Sequence, residues 1–272
     1  MTRLSIRLLL ACAIALVSAP ALFAQDDDPA VLNLAQPDFT LVSLPTSLRV
    51  PTMKGAFRVT HRFGRSLAEG DFGDALSDLF GLDNGAVIGL EYRFGIWRNT
   101  QIGLHRSSLD KTVSFFGEYS LLRQPAGPVD IAALVSIDGT NNFKDSYSPA
   151  VGAIVSRRFA EVAAIYVEPM WVNNTNSLPK ELVDDNDTFI IGLGARVRIR
   201  PTVYLVGELA PRVASYEPGA HHGSFAIEKR AGGHLFQLTF SNSFATTMGQ
   251  IARGGFTSDD WYLGFNISRK FF

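Results

Sequence analysis

Apolar and polar residues alternate strictly along much of this chain. In AVIGLEYRFGI, one parity is apolar and the other is mostly small or charged; the apolar parity is Ala86, Ile88, Leu90, Tyr92, Phe94 and Ile96. TFIIGLGARVRIR at 188–200 and the final WYLGFNISRKFF at 261–272 repeat the pattern. Because successive side chains of an extended strand point to opposite faces, each segment predicts a β-strand with one apolar face.

The alternation predicts an all-β chain of twelve strands. They lie at approximately 55–63, 86–96, 100–107, 111–122, 129–138, 148–159, 162–172, 188–200, 202–213, 224–231, 234–243 and 261–271. Soluble proteins favour strands of about 5–6 residues, whereas a tilted membrane strand needs about 9–11. Long connections such as 64–85 and 244–260 alternate with tight ones such as Gly232-Gly233, and the gap at 108–110 breaks the rule. This arrangement is typical of a bacterial outer-membrane barrel.

A closed antiparallel transmembrane β-barrel also provides every backbone N–H and C=O group in the membrane with a hydrogen-bond partner. Unpaired peptide groups in hydrocarbon cost several kcal/mol each, so a spanning sheet has to close on itself. The last strand is therefore expected to pair with the first, GAFRVTHRF at 55–63, with Trp261 and Phe271 near the two interfaces. The same alternation is compatible with a soluble periplasmic β-sandwich, in which the apolar parity would face a second sheet.

The first residues indicate export. Arg3 and Arg7 precede an apolar run from Leu8 to Val17, and Ala24 follows in a small-residue context, which predicts a cleaved signal peptide at 1–24. We expect residues 25–54 to form a periplasmic N-terminal lead-in and residues 55–272 to form the barrel. The chain has a single cysteine, inside the predicted signal, so the mature protein is expected to be stable without disulfides.

The charge balance limits the partners. Without Arg3 and Arg7, 23 of the 25 basic residues remain against 26 acidic ones, so no nucleic-acid partner is expected. The expected partners are outer-membrane lipid, small solutes and the barrel-insertion machinery, which typically reads an aromatic C-terminal strand. We expect no cofactor and no metal.

Charged residues gather on the parity that would face the lumen. They are Arg58, Arg62, Glu91, Arg93, Glu118, Glu168, Arg196, Arg198, Glu208 and Arg212. An arginine facing lipid near the midplane costs about 2–4 kcal/mol, so a shared parity argues for a polar interior. The charges either pair and close the barrel or line a narrow water-filled path. Their near balance favours pairing.

A membrane-embedded lipid hydrolase is an alternative function. Ser241, Ser243 and His234 share a predicted hairpin, and a hydrolase needs a serine with a histidine base. No nucleophile motif surrounds them, so we expect polar lumen and loop residues and no enzyme.

Four further motifs give weaker signals. His221-His222 is a poor metal site because no carboxylate pair or cysteine lies at ligand spacing. Gly192 and Gly194 lack the third glycine of a dinucleotide fingerprint and are expected to make room in a crowded lumen. The acidic run 184–187 is expected to be a solvated loop, and 71–83 is compatible with either a short amphipathic helix in the first external loop or a simple loop cap.

Several stretches resemble one known family. They are LPTSLRVPTMKGAFRVTHRFG at 44–64, FGLDNGAVIGLEY at 80–92, GGHLFQLTFSNS at 232–243 and GFNISRKF at 264–271. The chain resembles a family of predicted bacterial outer-membrane β-barrel proteins catalogued only as a domain of unknown function. This resemblance implies the architecture and supplies no catalytic or binding residues. We therefore expect a narrow passive channel or a structural barrel in the outer membrane of a Gram-negative-type bacterium.

Overall fold

A computed structural model describes residues 38–78, 80–81, 85–176, 186–216 and 219–272. The predicted signal peptide at 1–24 lies outside these residues. The strands are β1 (Gly55–Ser66), β2 (Ala86–Trp97), β3 (Thr100–Ser107), β4 (Val113–Leu122), β5 (Asp130–Gly139), β6 (Asp145–Phe159), β7 (Ala163–Asn173), β8 (Asp187–Arg200), β9 (Val203–Ala210), β10 (Arg212–Ser215), β11 (His222–Ala231), β12 (His234–Ser241) and β13 (Tyr262–Phe271). Short helices are α1 (Phe72–Ser77) and α2 (Met248–Ala252), and single helical turns span Leu109–Lys111 and Thr140–Phe143. No helix in the described part of the chain is long and apolar enough to cross a membrane.

The strands form one closed antiparallel barrel. β1 pairs with β2 and also with β13, so that Gly55 lies opposite both Phe94 and Phe271. β8 pairs with β9, which closes the ring on the other side. β9 and β10 are two parts of one strand interrupted at Pro211, which has no N–H to donate to the sheet. The thirteen segments therefore make twelve barrel strands, which confirms the predicted closure and strand count.

The outer face of the barrel is apolar and the inner face is mixed. On β2, Leu90 and Tyr92 are each 46% exposed, whereas the intervening Glu91 is 5% exposed. Leu193 on β8 follows the same rule and faces outward. This parity confirms the predicted apolar exterior, which a soluble sandwich would have buried.

The longest connections lie at one end of the barrel. The short-turn end holds connections such as 98–99, 201–202 and 232–233, together with the start of β1 and the end of β13. The β4–β5 connection at that end, 123–129, is longer than these. The loop end holds short connections at 108–112 and 140–144 together with the longest ones, at 67–85 and 242–261. There the helical alternative for 71–83 is realised as α1, which Asp71 caps by accepting a hydrogen bond from the Asp74 N–H (3.0 Å).

Two segments of the chain fill the lumen. The first, residues 38–50, is named the plug segment; it enters from the short-turn end just before β1, and Thr52 forms a bridge to Gly95 on β2. Residues 38–47 are all buried. This part of the predicted lead-in thus lies inside the barrel. Residues up to 37 lie outside the described part of the chain.

The second segment, residues 242–252, is named the inner loop. It belongs to the β12–β13 connection and folds inward from the loop end, with every residue except Phe244 buried. The two segments meet where the Ser43 hydroxyl donates a hydrogen bond to the Ala245 carbonyl (2.9 Å).

One side of the lumen contains an apolar core. Leu41 and Leu44 of the plug segment and Ile251 of the inner loop are fully buried there. The wall residues around them come mostly from β5 to β9, and Ile154, Met170 and Ile190 are each 0% exposed. Burial of apolar side chains therefore stabilises the closed interior, at about 1.5–3 kcal/mol for each large side chain.

Candidate functional site

The candidate functional site is the lumen wall that surrounds the plug segment. Nine of the ten sequence-predicted residues are buried in it: Arg58, Arg62, Glu91, Arg93, Glu118, Glu168, Arg196, Glu208 and Arg212. The tenth, Arg198, is half-buried near the short-turn end, 4.0 Å from Glu161. The wall therefore carries closely packed charges, which require partners.

Arg93 lies at the centre of one charge cluster. Its Nε donates to the Glu91 carboxylate (2.5 Å), and its Nη1 lies 3.8 Å from Glu118. The His105 ring is 3.4 Å from the other Glu91 oxygen. The guanidinium also lies over the Phe116 ring, 4.6 Å from its centroid. β2, β3 and β4 supply these residues, so the cluster belongs to the wall itself.

A second buried pair joins Arg196 on β8 to Glu228 on β11 (3.0 Å). Three further lumen residues were not predicted from the sequence: Glu228, Gln237 and Asn266. All three lie on inward parities, and Glu228 is opposite Gln237, which is opposite Asn266. Extending the parity rule to every strand would have found them.

Wall side chains donate hydrogen bonds to main-chain carbonyls of the plug segment. Arg58 donates to the Val42 carbonyl, Arg196 to that of Thr40 (2.8 Å), Gln237 to that of Leu41 (2.8 Å) and Asn266 to that of Val42 (3.1 Å). Gln101 forms two further bonds: it donates to the Leu48 carbonyl (3.1 Å) and accepts from the Val50 N–H (2.9 Å). These contacts satisfy backbone groups that a buried segment cannot leave unpaired.

Glu208 holds the tip of the plug segment. Its carboxylate accepts hydrogen bonds from three consecutive backbone N–H groups, those of Val42, Ser43 and Leu44, at 2.9–3.0 Å. The His222 Nε2 lies 3.2 Å from the same carboxylate. An ionised carboxylate accepts stronger hydrogen bonds than a neutral group, so this residue fixes the turn.

Two wall glycines accommodate the plug leucines. A Cβ on Gly194 would lie 2.1 Å from Leu41 Cδ1, and a Cβ on Gly192 would lie 3.1 Å from Leu44 Cδ1. The prediction that these glycines make room inside the lumen is confirmed.

The inner loop is fixed by polar contacts to several strands. Asp138 on β5 accepts a hydrogen bond from the Thr247 hydroxyl and another from the Gly249 N–H (2.9 Å). His105 Nε2 lies 3.0 Å from the Thr246 hydroxyl. The loop, which begins after β12, therefore reaches across to β3 and β5.

Two of the cavities in the described part of the chain lie near the plug segment or the inner loop. A small one of about 40 Å³ lies between the segments, against Glu91, Arg93 and His105. A larger one of about 540 Å³ lies at the loop end, against residues such as Asn141, Asn174 and Arg253. Arg253, which lines the larger cavity, directly follows the inner loop.

The serine and histidine neighbourhood differs from the sequence-based hypothesis. His234 lies at the short-turn end beside Arg269 (2.9 Å), far along β12 from Ser241 and Ser243. The ring beside Ser243 is instead that of His222, whose Nδ1 lies 2.8 Å from the Ser243 hydroxyl. The sequence-based hypothesis considered only residues of one hairpin, whereas His222, the first residue of β11, reaches the inner loop from the neighbouring strand.

The weaker motifs do not assemble into a site. No group of three metal-ligating side chains occurs among the residues described. Asp187 accepts a hydrogen bond from Trp171 Nε1 (2.8 Å), while Asp184 and Asp185 lie outside the described residues.

An ion pair fixes the first loop outside the membrane-spanning region. Arg65 donates a hydrogen bond to the Asp78 carboxylate and another to the Asp74 carbonyl (2.9 Å). The hydrogen bond from Arg65 lowers the pKa of Asp78 below its ordinary value.

Comparison with solved structures gives a shared barrel fold. The NanC porin has 8% sequence identity and a TM-score of 0.51, over 80% of this chain and 99% of that porin. The outer membrane protein Omp33 of Acinetobacter baumannii has 9% identity and a TM-score of 0.47, over 81% and 98%. A mutant porin of Rh. blastica has 12% identity and a TM-score of 0.35, and this chain spans 55% of its length. The likeness to the NanC porin shows a shared fold, and the other two add nothing to it.

The sequence comparison identifies the family. No curated protein matches the chain. Residues 39–271 match the family described as "Membrane bound beta barrel domain (DUF5777)". A membrane-bound barrel with an apolar exterior confirms the predicted outer-membrane location. The chain therefore belongs to this family of membrane-bound β-barrel domains, as the resemblance implied.

Proposed function

We propose that the protein is a passive channel for small polar solutes and that the structure represents its closed state. The plug segment is the closing element. Because it continues into β1 at one end, it can leave toward the short-turn end without breaking any strand pairing.

The pairing of charges within the wall carries this proposal. Arg93 is paired with Glu91 and Glu118, and Arg196 with Glu228, all from barrel strands. Departure of the plug segment would leave these pairs in place, and water could solvate Arg58 and Glu208, which bind the plug main chain in this structure. Such a wall lines a path for polar solutes without strong ion selectivity.

A cross-link tests whether the plug segment has to move. The hydroxyls of Ser47 on the plug segment and Ser156 on β6 are 2.7 Å apart, close enough for paired cysteines to form a disulfide. In planar bilayers, we expect the Ser47→Cys/Ser156→Cys protein to conduct when reduced and to lose conductance when oxidised.

A matched pair provides the control. Thr175 and Thr188 have hydroxyls 2.8 Å apart and lie outside the plug segment. The Thr175→Cys/Thr188→Cys protein should conduct in both redox states. Conductance that survives oxidation of the first pair would mean that solutes pass without movement of the plug segment. Absence of conductance in every protein would mean that the barrel is structural.

A hydrolase is the second candidate, and one cluster favours it. His222 lies between the Ser243 hydroxyl (2.8 Å) and the Glu208 carboxylate (3.2 Å), an order of groups that serine hydrolases use. However, Ser243 is 3% exposed, and three plug N–H groups engage the carboxylate. We propose that the cluster is structural. Phospholipid hydrolysis that disappears in the Ser243→Ala protein and persists in Ser241→Ala would overturn this assignment.

We infer that the barrel-insertion machinery recognises β13. This strand pairs with β1 at the seam and ends in aromatic residues, with Phe271 53% exposed on the outside. Replacing Phe271 with Ser should reduce the folded, heat-modifiable fraction in cells but not in detergent refolding. Equal losses in both would indicate a purely structural role.

A further inference from the structure

The contacts of the plug segment show what the lumen recognises. Wall side chains donate to the main-chain carbonyls of Thr40, Leu41, Val42 and Leu48, and Glu208 accepts from three main-chain N–H groups. These bonds do not depend on which side chains the plug segment carries. The wall is therefore a site for the peptide backbone.

The plug segment is bound as a tight turn. The Leu41 N–H donates to the Leu44 carbonyl (2.7 Å), and the Thr46 N–H donates to the Phe39 carbonyl (2.8 Å). Thr40 and Pro45 form a bridge across the base. The three N–H groups at the tip point together at Glu208, which explains how one carboxylate binds them all.

Side-chain selectivity comes from two pockets. Leu41 and Leu44 occupy the space that Gly194 and Gly192 leave open, and both leucines are fully buried. On the other side of the turn, the Lys270 ammonium lies over the Phe39 ring (4.8 Å). Leucines three residues apart on a turn therefore match this wall in shape as well as in hydrogen bonding.

We propose that the lumen is a peptide-binding site, that the plug segment is its tethered occupant, and that free short peptides with this leucine spacing bind in its place. That such peptides are also transported rests on the channel function proposed above; the binding itself does not. No covalent step is involved, because the ligand exchanges for the plug segment.

Tethering determines how the site is tested. A tethered segment has an effective concentration of about millimolar, so a free peptide competes poorly with an intact plug segment. Truncating Leu41 and Leu44 to Ala weakens the plug segment and leaves the wall unchanged. Each lost leucine should weaken plug binding about tenfold.

The experiment uses the full chain with Leu41→Ala and Leu44→Ala, folded in detergent, and a fluorescein-labelled peptide DFTLVSLPTS, which copies residues 38–47. We expect saturable binding by fluorescence anisotropy, with affinity at least about tenfold above that of the unmodified chain. A peptide with Asp at both leucine positions should not bind. Heat-modifiable migration establishes that each protein is folded. If the double variant does not fold, the single Leu41→Ala chain replaces it in the experiment.

A wall variant separates pocket binding from nonspecific adsorption. Adding Gly194→Leu to the same chain fills the Leu41 pocket and should abolish binding. Adding Gly207→Leu should not, because a Cβ there meets nothing within 4 Å. Absent binding to a folded variant, or equal binding of the aspartate peptide, would overturn the proposal. Binding without any conductance would retain the peptide site and reject the channel.

Discussion

At the scale of single residues, Arg93 shows how strongly the wall depends on paired charges. Its removal leaves Glu91 and Glu118 buried without their shared cation. Breaking a buried pair typically costs about 3–5 kcal/mol. We expect Arg93→Met to lower the free energy of unfolding by about that amount, measured by the urea dependence of heat-modifiable migration.

Two variants control this measurement. Arg198 pairs with the exposed Glu161 at 4.0 Å, so Arg198→Met should change stability by less than about 1 kcal/mol. Adding Glu118→Gln to Arg93→Met removes one uncompensated charge and should recover part of the loss. A stability change equal to that of Arg198→Met would mean that the Arg93 cluster is solvated.

The Asp78 carboxylate gives a pH-dependent contact in the first loop. Because Arg65 lowers the pKa of Asp78, the contact is complete above the ordinary value of about 3.9 and is lost as pH falls through the lower folded value. Pepsin should therefore cut the connection between β1 and β2 increasingly below that pH. An Asp78→Asn protein should be cut throughout the acidic range in which pepsin is active, and identical profiles for the two proteins would contradict this assignment.

Parity predicted which residues face inward but not what they contact. Lipid excludes charge, so Arg58, Arg196 and Glu208 could be assigned to the lumen from alternation alone. Their partners on the plug segment are main-chain groups of residues 40–44. Every residue carries such groups, so the sequence contains no complementary pattern that points to them.

At the scale of elements, the β1–β13 seam is where the barrel closes. Gly264 lies opposite Arg62, and a Cβ there would come within 2.3 Å of the His61 carbonyl. We expect Gly264→Val to prevent closure, seen as loss of heat-modifiable migration. Gly207→Val on β9 is the matched control and should fold normally, because its added Cβ meets no atom within 4 Å. A folded Gly264→Val protein would show that the seam can shift its register.

The plug segment is the element that sequence reasoning could not place. It has no strand alternation, Pro45 lies within it, and Pro37 and Pro51 flank it, as in an exposed linker. Its burial depends on space left by Gly192 and Gly194, about 150 residues away in sequence. The strands were predictable because lipid requires the same apolar parity on every strand. The plug segment instead fits the inner wall of the barrel, and that wall exists only after the strands have folded.

At the scale of the whole molecule, one sheet contacts lipid on its outer face and the chain's own segments on its inner face, so the outer face has to be apolar and the inner face partly polar. Each strand meets both requirements by alternation, and the closed sheet leaves no unpaired edge in the membrane. The interior then combines an apolar core beside β5 to β9 with charge clusters supplied by strands that include β2 and β11. A molecule built in this way can exchange its interior occupant without altering the surface that lipid contacts.

The orientation of the barrel in the membrane follows from its two ends. Barrels of this type place short turns in the periplasm and longer loops outside, so the plug segment should enter from the periplasm. The only cysteine of the chain is at position 12, inside the predicted signal peptide. Labelling of a cysteine introduced into the barrel therefore reports which side of the membrane that position faces. We expect an impermeant maleimide to label Ser258→Cys, in the long β12–β13 connection, on intact cells. It should label Thr202→Cys, in the β8–β9 turn, only after the outer membrane is permeabilised. Both positions are exposed in the structure. The reverse labelling pattern would therefore mean that the barrel has the opposite orientation and that the plug segment enters from the cell surface.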